Sequence, residues 1–312
     1  MTCCRYPGTD GILNINKPLG KTSFSVVSLV RRLTGEKRVG HAGTLDPMAT
    51  GVLPVCIGQA TRLVEYLVDD TKTYRAEIEF GITTDTYDSE GKVVQKVDVS
   101  DITRNRVETA IKGFRGEITQ TSPAYSAVKY HGKPSYKLAR AGIPVVAKKR
   151  LARIDRIELI DWHAPVVVLE IDCGKGTYIR SLAHDLGQLL GCGAYLKNLT
   201  RLRCGIFNVT DAVTPDELQE AFKAGYWSDW LYPMDSVLNR LPAVVVGEEN
   251  ERAICQGKVV LLEGCPSSTT CRAYNQCGNL LAILRYDLEK CLWRPEKVFG
   301  VLAAISSGNA DL

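Results

Sequence analysis

The chain has 312 residues, 45% hydrophobic and 24% charged, a composition that excludes a disordered or fibrous protein. At roughly 150 residues per domain it is long enough for about two domains with sizeable cores. Its net charge of +4 is a weak pointer to an anionic partner, and no run of about 18 apolar residues is present to suggest a membrane-spanning helix.

Taken in chain order, residues 11–18 alternate like a short strand ending at Pro18. Thr22-Ser23 then caps a helix with Val26, Val27, Val30 and Leu33 on one face, stopped near Gly35. Residues 52–57 are a strand-like apolar run, and 61–68 read as a short helix. Residues 73–81 alternate again, with Tyr74, Ala76, Ile78 and Phe80 on one side. Residues 101–114 form an amphipathic helix; 166–173 are a strand, followed by Gly174-Lys175-Gly176 and a helix through Leu190. There is neither regular βαβ spacing nor a Gly-x-Gly-x-x-Gly fingerprint, so the expected fold is α+β: a mixed, mainly antiparallel sheet with flanking helices. After Asn239 the pattern changes to short strand candidates at 243–246, 258–262, 271–274, 280–286 and 297–301, as in a small β-barrel. The expected domains are therefore residues 1–239 and 240–312.

Charge is distributed unevenly. No acid occurs between Glu117 and Asp155, a stretch that holds Lys129, Lys133, Lys137, Arg140, Lys148, Lys149, Arg150 and Arg153. Such a one-signed run reads either as a phosphate-binding surface or as a solvated face. The 11 cysteines include no Cys-x-x-Cys pair and are odd in number, which fits reduced thiols rather than a metal or disulfide framework. Met1 to Asp10 has no apolar core of signal-peptide length, so a cytoplasmic location is expected.

Two glycine-flanked stretches can carry chemistry. In residues 40–53 a single carboxylate, Asp46, lies among small residues, with His41 nearby and glycines that leave room for a bulky ligand. Asp46-Pro47 also reads as a helix start, with Asp as the cap and Pro in the first turn. The second stretch, residues 173–182, brings Tyr178 and Arg180 to the start of a helix. An arginine fork is a natural partner for an isolated carboxylate; an ordinary surface arginine and core tyrosines fit the local pattern as well.

Six motifs in order resemble the TruB family of tRNA pseudouridine synthases. They are Leu13-Asn14-Ile15-Asn16-Lys17-Pro18, Gly40-His41-Ala42-Gly43-Thr44-Leu45-Asp46-Pro47, Thr73-Tyr74, Pro123-x-Tyr125-Ser126-Ala127-Val128-Lys129, Lys175-Gly176-Thr177-Tyr178-Ile179-Arg180, and Gly191-Cys192-Gly193-Ala194 with Leu199-x-Arg201-Leu202. Together they cover about residues 11–235; residues 241–301 more loosely resemble the PUA-type RNA-binding domain.

The resemblance implies Asp46 as the catalytic aspartate, Arg180 as its ion-pair partner and Tyr74 stacked on the target uracil. Tyr178 and Leu199 would line the pocket, and His41 would fill the gap left by a flipped nucleotide. Lys17 is counted with the substrate-proximal residues, in the motif that braces the catalytic loop. Lys129, Lys133, Lys148, Lys149 and Arg150 belong to a basic insertion, residues 126–153, that would clamp RNA. The implied substrate is uridine 55 in the T loop of tRNA. No cofactor, metal, membrane or obligate protein partner is expected, and a monomer is. The competing readings are a guide-RNA-dependent synthase of the dyskerin type and a non-catalytic tRNA-binding or folding chaperone. An opposite charge at close range lowers a carboxylate pKa, so Asp46 is expected to be held ionised by Arg180.

Overall fold

Strands dominate because most apolar runs alternate or are buried on both faces. The computed structural model describes residues 10–123, 149–262 and 268–300, with the backbone of 129–130 and 133–134. In chain order the first elements are β1 (Gly11–Lys17), α1 (Ser23–Thr34), β2 (Val39–His41), β3 (Ala49–Ile57), α2 (Val64–Asp69) and β4 (Lys72–Phe80). They are followed by β5 (Ile82–Thr84), β6 (Val93–Lys96), α3 (Arg104–Lys112), β7 (Gly116–Thr121), β8 (Lys129–Tyr130) and β9 (Lys133–Pro134). Next come β10 (Lys149–His163), β11 (Val166–Cys173), α4 (Ile179–Leu190), β12 (Ala194–Cys204), β13 (Phe207–Asn208), α5 (Pro215–Ala224) and β14 (Leu231–Tyr232). The last part holds β15 (Ala243–Val245), α6 (Glu248–Cys255), β16 (Thr270–Tyr274), β17 (Leu280–Asp287) and β18 (Leu292–Val298).

The large sheet has the order β14-β1-β3-β12-β4-β11-β10-β7, with β2 beside β3 and β13 beside β12. Its neighbours are antiparallel except β3 and β12, which run parallel with Leu199 opposite Ala49. The fold is thus a mixed sheet with helices, mainly antiparallel, as the sequence pattern implied. One face packs against α1, α3 and α4 around Val26, Val30, Ile78, Leu169, Leu182 and Leu186, all nearly inaccessible to solvent. α1 follows its capping chemistry: Thr22 accepts from Ser25 N, and Gly35 closes the helix at φ 69°.

Several elements differ from the sequence reading. Residues 58–63 form a tight 3-10 turn before α2, and α3 begins only after Thr103, whose side chain accepts from Arg106 N. The long strands β10 and β12 and the helix α6 carried no legible signal. In β10, buried Ala152, Ile154 and Ile157 alternate with charged residues, so the strand has one apolar edge in an otherwise polar sequence.

From Ala243 onward the chain builds a separate sheet, β15-β16-β17-β18, covered by α6 over Ile254, Cys271, Leu284 and Trp293. The expected strand at 258–262 reduces to a single bridge from Val260 to Trp293, and the final strand lies at β18 rather than at 297–301. Leu280 and Ile283 of β17 pack with Phe299 against Leu63 and Leu67, so this sheet shares a core with the first part of the chain. No helix among the described residues is long and apolar enough to cross a membrane.

Candidate active site

The loop between β2 and β3 is fastened from beneath. Lys17 is fully buried and donates from Nζ to the carbonyls of Pro18 (3.0 Å), Lys21 (2.6 Å) and Pro47 (3.3 Å). Burial pushes its pKa down to about 8, against the pull of Asp46 and Glu90, with Arg201 adding to the fall. Lys17 therefore supports the loop from inside and does not line the cleft. Ser23, the first residue of α1, donates from Oγ to Leu45 O (3.1 Å) and accepts from Leu45 N (2.9 Å). Gly20 N donates to Pro47 O at 2.9 Å.

These bonds explain why the helix start suggested by Asp46-Pro47 does not form. Asp46 O accepts Ala49 N–H at 3.0 Å, closing a tight turn, and Ala49 at once pairs with Leu199 as part of β3. The Asp46 side chain is left free of capping duty. Gly51 sits at φ 98°, and a Cβ there would lie 2.2 Å from Arg201 O, so β3 and β12 approach only because residue 51 has no side chain. Arg201, almost fully buried, donates from Nε to Val52 O (2.6 Å) and from Nη2 to Gly43 O (3.1 Å). It ties the glycine loop to β12, a role the sequence did not suggest.

Arg180 lies in the first turn of α4 and meets Asp46 through Nε–Oδ2 at 3.0 Å and Nη2–Oδ1 at 3.3 Å. A second acid, unforeseen in the sequence, shares the same guanidinium: Asp88 Oδ2 accepts from Arg180 Nη1 at 3.2 Å. The side chains of Arg180 and Asp88 are 6% and 4% exposed, whereas that of Asp46 is 37% exposed. Arg180 and Asp88 thus form the buried base of the cluster, and Asp46 is its open face. Burial raises the Asp46 pKa above its ordinary value; Arg180 and Lys17 pull it down, while Asp88 pushes it further up. The expectation that the ion pair would lower it is corrected by this balance, because one guanidinium divided between two carboxylates does not repay the loss of water.

Asp46 opens on a cleft of about 260 Å³ whose walls include Tyr74, Tyr178, Leu199, Lys72 and the Gly174-Lys175-Gly176 loop. Tyr74 is half-buried on β4; burial is the main cause that raises its phenol to about 12, partly opposed by Arg201. Its hydroxyl therefore stays protonated at neutral pH. Tyr178 is the cap residue of α4, and Gln120 clamps its backbone by accepting from its N–H (3.0 Å) and donating to its carbonyl (3.1 Å). The guanidinium carbon of Arg150 lies 5.5 Å from the Tyr178 ring centroid, so the end of the basic stretch reaches the cleft. Lys149 is exposed at the start of β10.

His41 lies on β2 opposite Val55, beside the cleft rather than within it. Its Nδ1 is buried without a partner among the described residues, and burial, reinforced by Arg201, lowers its pKa. Lys148 and the side chains of Lys129 and Lys133 lie outside the described residues.

Chemically, the cluster offers one carboxylate facing a roomy cleft, a guanidinium that fixes its orientation, and aromatic walls suited to a planar ring. Among the described residues no group of His, Cys, Asp or Glu is arranged to hold a metal ion.

Comparison with known proteins extends this picture. A model of the TruB family pseudouridylate synthase N-terminal domain matches residues 31–179, and one of the tRNA pseudouridylate synthase B C-terminal domain matches residues 180–239. A Dehalococcoides mccartyi protein named tRNA pseudouridine synthase B is 47% identical over 290 residues, covering 93% of this chain and 96% of its own. A Clostridium acetobutylicum protein of the same name is 43% identical over 278 residues, covering 88% and 94%. Among solved structures, a chain in a Cbf5-Nop10-Gar1 complex is 27% identical with a TM-score of 0.70, covering 93% of this chain and 84% of that one. A chain of an H/ACA RNP bound to a substrate RNA containing 2'-deoxyuridine has the same fold at 24% identity, with a TM-score of 0.71 and coverage of 94% and 86%.

Proposed function

This chain belongs to the TruB family of pseudouridylate synthases, and on that premise we propose that it isomerises uridine 55 in the T loop of tRNA to pseudouridine. The observation that carries the reading is the Asp46–Arg180 pair, open to a cleft with aromatic walls. The reaction breaks the N1–C1′ bond, turns the uracil and joins C5 to C1′; the C5 proton leaves and N1 gains one. Nothing is oxidised or reduced, so the protein must supply only a carboxylate at the sugar, a base for the C5 proton and a pocket in which the ring can turn.

Asp46 is the carboxylate in this scheme, acting as nucleophile at C1′ or as base at C2′. It must be ionised to do either, and its raised pKa makes it a stronger base or nucleophile than a free carboxylate once ionised. Arg180 orients it. Tyr74 stacks on the uracil as it turns, and its phenol, pushed up to about 12, stays protonated at neutral pH and can donate a hydrogen bond. Tyr178 and Leu199 complete the pocket.

The target base must first leave its stack, which costs a few kcal/mol. Phosphate contacts from Lys149, Arg150 and the basic segment 126–153, with His41 entering the vacated position, offset that cost. Residues 1–239 form the catalytic domain and 240–312 a small PUA-like β-barrel that extends the RNA contact. The chain acts in the cytoplasm as a monomer on tRNA, without a guide RNA or obligate partner protein.

The test is to map pseudouridine in an unmodified tRNA transcript before and after treatment with the purified chain. Conversion at uridine 55 alone supports the reading. Conversion only in the presence of a guide RNA would favour a dyskerin-type enzyme, and binding without conversion a chaperone.

A further inference from the structure

Arg180 is anchored by Asp88, and Asp88 sits on a turn held in an uncommon backbone state. Tyr87, the residue before it, has φ 63°, a left-handed conformation that a bulky side chain rarely adopts. Its carbonyl accepts from Leu196 N at 2.9 Å, and its N–H donates to Thr84 O at 3.3 Å. Its ring stacks on His184, with centroids 3.9 Å apart and planes 14° from parallel. His184 follows Arg180 by four residues on α4, so the two side chains leave the same face of the helix one turn apart.

α4 therefore grips this turn at two adjacent points: the guanidinium holds the Asp88 carboxylate, and the imidazole face holds the Tyr87 ring. Asp88 is otherwise satisfied within the turn. Its Oδ1 accepts from Thr86 Oγ1 (2.5 Å) and Glu90 N (3.1 Å), and its carbonyl accepts from Thr84 Oγ1 (2.8 Å). Only Oδ2 reaches out, to Arg180. The His184 ring uses its face: Nδ1 is buried and has no hydrogen-bond partner among the described residues. Burial also lowers its pKa, which keeps the imidazole neutral beside Arg180 at neutral pH.

We propose that Tyr87 and His184 are positioning residues for the active site: their stack holds the turn that aims Asp88, and Asp88 fixes the guanidinium that orients Asp46. Neither residue lines the cleft on which Asp46 opens. The inference rests on the reading of Asp46 as the reacting carboxylate.

The experiment compares His184→Ala, Tyr87→Ala, the double variant and His184→Phe. Single-turnover conversion of a tRNA transcript is followed alongside RNA binding and thermal melting. The two alanine variants should each slow conversion by about 10- to 100-fold, the range expected when a catalytic group is misplaced, with RNA affinity unchanged. The double variant should lose no more than either single one, because both break the same contact. His184→Phe, which keeps a flat ring for stacking, should recover most of the rate.

In the free chain, the NMR signal of the Arg180 Nε–H should move in His184→Ala and stay in place in His184→Phe. This readout needs no turnover. A wild-type chain that converts no uridine overturns the functional reading, while the NMR comparison still decides the positioning. An unmoved Arg180 signal in His184→Ala, an unchanged rate, additive losses, or no recovery with His184→Phe each overturn the positioning proposal.

Discussion

Two arginine–carboxylate clusters stand on this fold, built from the same residue types and opposite in consequence. On the large sheet, Arg156 bonds Asp172 (2.8 Å), Glu170 (2.5 Å) and Glu158 (2.7 Å) from neighbouring positions of β10 and β11. Arg203 and Thr73 add further contacts to Asp172. The Arg156 side chain is 38% exposed, and water shares in solvating every member. Partial burial pushes the Asp172 pKa up, but hydrogen bonds from Thr73 and Arg156 outweigh it, and the pKa is lowered.

In the cleft the balance reverses. Arg180 is buried and divided between Asp46 and Asp88, so Asp46 receives less compensation than it loses in solvation and its pKa is raised. Asp172 gathers donors from Thr73, Arg156 and Arg203 and is held ionised, whereas Asp46 has only a shared guanidinium and keeps one face open to the cleft.

Substitutions in the two clusters should separate their consequences. The largest effect is expected from Asp46→Asn, which removes the reacting charge while nearly preserving shape: turnover should fall more than about a thousandfold with tRNA binding retained, as read by single-turnover and filter-binding assays. Arg180→Lys should come next, with a loss of about a hundredfold in turnover, because an ammonium cannot serve two carboxylates with a planar fork. Asp88→Asn should slow conversion by about tenfold through the loosened guanidinium. Removing the like charge that raises the Asp46 pKa should also move the acid limb of the rate profile to lower pH. Arg156→Met should change unfolding free energy by no more than about 1 kcal/mol in a denaturant titration, because its exposed pairs are screened, with turnover unaltered.

The pH dependence follows from the same shift. The folded chain raises the Asp46 pKa above 3.8, so it binds this proton more tightly than the unfolded chain does. That stabilisation is complete below the unfolded pKa and is lost as pH rises through the higher folded one. Activity runs the other way: single-turnover rates should climb with pH through a midpoint above 3.8.

The sequence revealed the parts of the site that are fixed by local chain geometry. Asp46 stood out because glycines surround it, and Arg180 because it follows a strand end and a glycine turn. The β1 and α1 boundaries were readable from alternation, from Thr22 and from Gly35. Asp88 was not readable: it belongs to neither glycine-flanked stretch, and its value depends on the left-handed turn at Tyr87 and on α4, almost a hundred residues later in the chain. The bracing role of Lys17 was legible only through the family resemblance, and that of Arg201 was hidden altogether. Their charged ends are buried against carbonyls of the catalytic loop, whereas composition leads one to expect them at the surface. β10 escaped because its outward positions are charged, and the ion-pair ladder that makes them strand residues is visible only once β11 lies beside it. The helix start at Asp46-Pro47 was a correct local preference overruled by bonds to Ser23, Gly20 and Lys17.

The role of Asp46 is tested most directly by release of tritium from tRNA labelled at C5 of uridine, measured under single turnover for the wild-type chain and Asp46→Asn at matched RNA occupancy. Rapid release is expected with wild type and none above background with Asp46→Asn. Release at comparable rates by both, or by neither, would contradict that role.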